Sequence, residues 1–208
     1  MQTTNYKLTE LFIIFILIPI SFCFEYSPII KLMIGVLGFG YILYVVLKVE
    51  KIQFKIKKNI NWKNFWRTTL LKFLVIVILT TVFVWLTDAA NLFAIVLNKP
   101  IKWLIFLLIY AVFSVYPQEI LFRTFFFKRY KSLFKDETLF LFINAILFSL
   151  AHLFFRNTIV IIIAFIGGLL FAITYKKTKS TSLVSIEHAI YGCWLFTVGM
   201  GSMLGFPS

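Results

Sequence analysis

Gln118-Glu119-Ile120-Leu121-Phe122-Arg123 places a carboxylate and a guanidinium one helical turn apart inside an apolar run. A charge at the centre of a bilayer costs about 3 kcal/mol or more, so charges found there are paired or functional. The four-residue spacing puts Glu119 and Arg123 on one helical face within reach of each other. The smallest reading is therefore a helix-internal ion pair that neutralises two buried charges. A larger reading adds His152 and His188, the only two histidines of the chain, each in its own later apolar run. Neutral imidazole can accept a proton, orient water or bind a metal.

The elements that must position these residues follow from composition. The 208 residues are 61% hydrophobic and 14% charged, with a mean hydropathy of +0.95. That is more apolar surface than a soluble core of this size can bury, so the sequence predicts an all-α, polytopic transmembrane helix bundle. Spans need roughly 20 apolar residues each. Seven runs qualify: 8–24, 29–47, 68–87, 103–127, 138–155, 159–175 and 182–203. The first is read as a retained helix rather than a signal peptide, since no A-x-A site follows it and Phe22 before Cys23 spoils a lipoprotein cleavage site. The chain is expected to form a single integral-membrane domain over 1–208.

Basic residues cluster in alternate loops, as the positive-inside rule requires. Lys48 to Arg67 fill one loop, Lys128, Arg129, Lys131 and Lys135 a second, and Lys176, Lys177 and Lys179 a third. The N-terminus is therefore expected in the cytoplasm of a multi-pass cell-membrane protein. The same asymmetry accounts for the net charge of +13 without nucleic acid, which is not expected as a partner. Segment 49–67 mixes Lys with Ile, Phe and Trp, as suits a stretch lying on an anionic lipid surface.

Most acidic residues are expected at span ends or in loops, with Glu119 and Glu187 the buried exceptions. At about 1.5 Å of rise per residue, Glu119 lies roughly 12 Å deep, His188 roughly 9 Å and His152 roughly 22 Å. Tilt or a kink at Pro117 is needed to bring the third to the level of the first two. Gly35, Gly38 and Gly40, with Gly167 and Gly168, are expected to permit close helix approach. Cys23 and Cys193 show neither CxxC spacing nor a disulfide framework.

The three charged segments, in order, resemble the CAAX prenyl protease 2 and bacteriocin-processing (Abi, CPBP) family of intramembrane proteases. Its pattern is Glu-Glu-x-x-x-Arg in one helix, Phe-x-x-x-His in the next and His-x-x-x-Asn in a later one. Here these read Gln118-Glu119-x-x-x-Arg123, Phe148-x-x-x-His152 and His188-x-x-x-Gly192, over approximately residues 100–200. The resemblance implies peptide hydrolysis by water activated at glutamate and histidine, with the late His and Asn holding the oxyanion. It leaves open a zinc site made by Glu119, His152 and His188 or a metal-free general-base site.

Two positions depart from the pattern. Gln118 stands where the family places its base, and an amide takes no proton from water at neutral pH. Gly192 stands where it places the oxyanion asparagine. The base then falls to Glu119, with Gln118 as an orienting donor. Glu187 and Tyr191 are auxiliary candidates, Tyr191 as a replacement hydroxyl donor.

The leading expectation is an intramembrane endopeptidase acting on a membrane-associated protein or peptide, in contact with membrane lipids. An inactive relative serving as a scaffold or bacteriocin-immunity protein is the second, and a small proton-linked transporter the third. The Ile, Phe, Lys and Asn bias points to an AT-rich bacterial gene.

Overall fold

The computed structural model describes residues 3–52 and 60–204, the side chains of Ser202 and Leu204 excepted. The central part of the basic stretch 49–67, residues 53–59, lies outside the described residues. Among the described residues, seven helices are long and apolar enough to cross a membrane: α1 (Thr4–Ser21), α2 (Pro28–Val49), α3 (Trp62–Thr87), α4 (Pro100–Leu133), α5 (Glu137–Phe155), α6 (Thr158–Thr178) and α7 (Thr181–Met200). No strand occurs among the described residues, so the all-α bundle class holds.

Local chemistry sets the helix starts. Asn61, Asp136 and Asn157 cap α3, α5 and α6, each side chain accepting a backbone N–H of the first turn, which satisfies donors the helix leaves open. Pro28 and Pro100 occupy first-turn positions of α2 and α4, where a missing N–H is harmless. Within α4, Pro117 can donate no backbone N–H and its ring crowds the carbonyl one turn earlier. The chain before it winds as a π-helix from Tyr110 to Val115, and a second π segment covers Ile120–Phe125. Glu119 thus sits on a short α segment flanked by wider winding, a geometry frequent at functional sites.

Two compact groupings divide the chain. The first holds the described residues of 1–55 and 117–181. Its core is aromatic: Phe15 meets Phe122 and Phe126 edge-on at 5.3 and 5.2 Å, and Phe122 meets Phe148 at 5.0 Å. α5 and α6 pack closely at Gly168, where an added Cβ would stand 3.2 Å from the Ala145 backbone and from Phe148 Cβ. Ser149 Oγ also donates to the Ile161 carbonyl at 2.7 Å.

The expected loop assignment of Arg129 and span-end assignment of Glu10 fail. Both are buried. Arg129 donates bidentately to Glu10 at 2.7 and 3.0 Å and to Glu50 at 3.0 Å. Tyr130 and Tyr41 hydroxyls donate to the same Glu10 carboxylate. The fourth helix runs past its apolar stretch to Leu133, and the pairing with Glu10 and Glu50 offsets part of the cost of carrying Arg129 inside. The glycine expectation divides in the same way. Gly168 is a contact point, whereas among the described residues nothing lies within 4 Å of a Cβ at Gly35, Gly38 or Gly40.

The second grouping holds the described residues of 56–116 and 182–208. Its helices are tied by indole donors: Trp194 Nε1 to Thr80 Oγ1 and Trp103 Nε1 to Thr197 Oγ1, both at 2.9 Å. Phe73 stacks on Tyr191 with centroids 6.2 Å apart. Gly199 takes φ 114° where a side chain would run into the Asn91 carbonyl. Both cysteines are free thiols.

Candidate functional site

In the first grouping, Glu119 and Arg123 are both 0% exposed. Arg123 Nε lies 3.1 Å from Glu119 Oε2, so the expected one-turn ion pair forms. Arg123 is fixed on its far side as well. Its Nη1 donates to Asn144 Oδ1, and its guanidinium lies over the Phe148 ring at 5.0 Å and the Phe171 ring at 5.9 Å. Asn144 in turn donates from Nδ2 to the Phe122 carbonyl at 2.8 Å. A planar cation held by a carboxylate, an amide and two rings has little freedom left. Gln118, next to Glu119, is half-buried.

Phe148 carries the connection onward. Its ring is 4.9 Å from the imidazole of His152, and its carbonyl accepts a hydrogen bond from His152 Nδ1 at 2.8 Å. A carbonyl can only accept, so Nδ1 carries the proton and Nε2 the lone pair in the neutral ring. His152 does not lie inside a regular helical turn as expected. The α-helical part of α5 ends at Leu150, and His152 sits in the turn before Leu153–Phe155, at the end of its span. Asn144 and Phe148, four residues apart within the α-helical part of α5, share one helical face.

In the second grouping, His188 is 5% exposed, and its Nε2 lies 3.2 Å from the Tyr110 hydroxyl. The two rings meet edge-on with centroids 6.2 Å apart. The neighbouring Glu187 has different partners, as adjacent helical positions diverge by about 100°. Its Oε1 receives Lys72 Nζ at 2.8 Å and the Tyr191 hydroxyl at 2.9 Å. Tyr191 also contacts the Thr69 carbonyl at 3.1 Å. Glu187 and Tyr191 therefore form one cluster with Lys72, and His188 and Tyr110 another.

Asn144, Tyr110, Lys72 and Thr69 were absent from the sequence-based candidates. Asn144 carried a readable signal, a lone amide in an apolar helix four residues before Phe148. Lys72 was a single charge within the third span. Tyr110 had none, since its significance depends on what stands beside His188 in space.

Among the described residues, no three His, Cys, Asp or Glu side chains gather as a metal-ligand set.

Residues 100–194 match the family model described as type II CAAX prenyl endopeptidase Rce1-like. The matched stretch contains all three motifs and all the candidate residues named from Tyr110 to Gly192. No match was found among curated proteins or among solved structures.

Proposed function

We propose that this chain, Rce1-like over residues 100–194, is an intramembrane endopeptidase that hydrolyses peptide bonds of a membrane-associated protein or peptide. The observation that carries the reading is the fixed tautomer of His152. Its Nδ1 donates to the Phe148 carbonyl, so the basic lone pair of the neutral ring is on Nε2. Glu119, balanced by Arg123, is the carboxylate partner in activating water.

As the water oxygen bonds to the carbonyl carbon, one water proton passes to the Glu119 and His152 pair. The carbonyl π electrons move to oxygen, whose developing charge needs a hydrogen-bond donor; the family resemblance gives that role to the late histidine, His188 in this chain. When the tetrahedral intermediate collapses, the C–N bond breaks and the proton is returned to the leaving amine. Gln118 orients the pair and takes no proton.

A second reading is favoured by Gln118 and Gly192, which replace two working groups of the family pattern: a non-catalytic membrane scaffold or immunity protein. The two readings separate in bilayer nanodiscs with a peptide panel that includes prenylated CAAX peptides, products being read by mass spectrometry. The peptidase reading expects cleavage that falls about 10²-fold or more in Glu119→Gln, His152→Ala and His188→Ala. Cleavage unaffected by all three refutes the assignment, and a cellular phenotype that survives them supports the scaffold.

A further inference from the structure

In the second grouping, a groove of ≈ 630 Å³ runs along α3 beside Trp194, a volume in the range of small-molecule sites. Arg67, Leu70, Leu74 and Val77 line it from α3, and steps of three and four residues put them on one helical face. Phe73 and Trp194 contribute the aromatic part of the lining. Their rings meet edge-on at 5.8 Å, and Phe73 also stacks on Tyr191. Trp194 Nε1 donates to Thr80 Oγ1, so the indole offers the groove carbon rather than a donor. The wall is apolar and already fixed by contacts within the grouping.

One end of the groove is charged. Arg67 is exposed, as are Lys63 one turn before it and the neighbouring Trp62 and Trp66. Exposed Trp on a spanning helix marks the headgroup level, which puts the guanidinium at the depth of lipid phosphates. From Arg67 to Val77 the helix rises about 15 Å. That is half of a hydrocarbon core about 30 Å thick, the depth of one leaflet. Among the described residues, neither Arg67 nor Lys63 makes an ion pair. No acidic residue occurs in α3, and the buried Glu187 is held by Lys72 and Tyr191. A cationic headgroup therefore meets no carboxylate at this end, whereas a phosphate meets two cations.

We propose that the groove binds one anionic phospholipid of the bilayer, with its phosphate on Arg67 and Lys63 and an acyl chain along Leu70, Leu74 and Val77 against Trp194. Burying the chain gives no preference by itself, because lipid tails are as apolar as the groove. Headgroup choice comes from the two cations. The site does not depend on whether the chain cleaves peptides.

The test titrates the full chain in neutral detergent with phosphatidylglycerol or with phosphatidylcholine of the same acyl chains, bound lipid being counted by native mass spectrometry. A retained phosphatidylglycerol is expected at concentrations that leave phosphatidylcholine unbound. Arg67→Gln is expected to weaken it about fivefold. Leu74→Trp, which fills the groove and leaves the charges, is expected to abolish the retained lipid at an unchanged thermal midpoint. Lys177→Gln removes an exposed charge of the other grouping and is expected to bind as wild type does. If Leu74→Trp does not fold, the surface variant Arg67→Gln still decides. Equal retention of the two lipids, or Arg67→Gln binding no weaker than Lys177→Gln, overturns the site. Displacement of the lipid by a prenylated peptide assigns the groove to a lipidated substrate and likewise overturns the phospholipid.

Discussion

Asn144 offers the sharpest single perturbation, because it is the amide through which Arg123 is tied to the backbone. Asn144→Leu keeps approximate volume and removes two hydrogen bonds: Arg123 Nη1 to Oδ1, and Nδ2 to the Phe122 carbonyl. Asn144 and Arg123 are both 0% exposed, so water is poorly placed to replace either bond. A hydrogen bond to a charged group contributes about 1.5–3 kcal/mol and a neutral one about 1 kcal/mol in soluble proteins. Inter-helical bonds in bilayers average about 0.6 kcal/mol, which sets the floor. A loss of about 1–3 kcal/mol is expected in reversible unfolding in bicelles. Asn144→Asp, which keeps the acceptor for Arg123 but loses the donor to Phe122, is expected to lie between it and wild type. Because Arg123 also positions Glu119, kcat of Asn144→Leu should fall tenfold or more, as small misplacements of reacting groups do. Wild-type stability together with wild-type kcat would refute the view that this amide organises the site.

Further outcomes follow from the buried charges and the helix contacts. Glu10→Leu leaves Arg129 with Glu50 and without its bidentate partner, and is expected to destabilise the protein by about 3 kcal/mol. Adding Arg129→Leu should recover part of that loss in the same unfolding assay, whereas strict additivity would show the two are not coupled. Lys72→Met removes the cation from Glu187, which is 0% exposed and whose Oε2 has no hydrogen-bond partner among the described residues. A loss of about 3–5 kcal/mol is expected, smaller when combined with Glu187→Gln, and an unchanged midpoint would count against the pairing. Gly168→Leu, pressed against Ala145 and Phe148, should lower stability by about 1–3 kcal/mol, while Gly38→Leu, with open space around it, should stay within about 0.5 kcal/mol of wild type. Equal effects at the two glycines would contradict the packing described.

The seven spans were legible because bilayer-length apolar runs leave little choice of structure. Glu119 and Arg123 were legible because a one-turn spacing is a local property. Glu10 and Arg129 were not, since each looked like a charge at the edge of an apolar run and their pairing joins residues far apart in sequence. Gly35, Gly38 and Gly40 misled for a related reason: small residues permit close approach, but only a neighbour makes it happen. His152 falls near the C-terminal end of its span, and its place in a turn depends on where the α-helical part of α5 stops winding. The expectation that Tyr191 replaces the missing asparagine came from nearness in sequence, and its hydroxyl is engaged by Glu187 instead. Tyr110 gave no signal in the sequence, because its contact with His188 joins residues 78 apart.

The central claim is that Glu119 and His152 act together on one water. A double-mutant cycle on kcat tests it most directly, with wild type, Glu119→Gln, His152→Ala and the double variant assayed on the same cleaved peptide in nanodiscs. Residues that act as a unit are strongly non-additive. Each single variant is therefore predicted to lose about 10²-fold or more, and the double variant to lose little beyond the worse of the two. Losses that multiply, or a single variant that keeps wild-type kcat, would contradict the account.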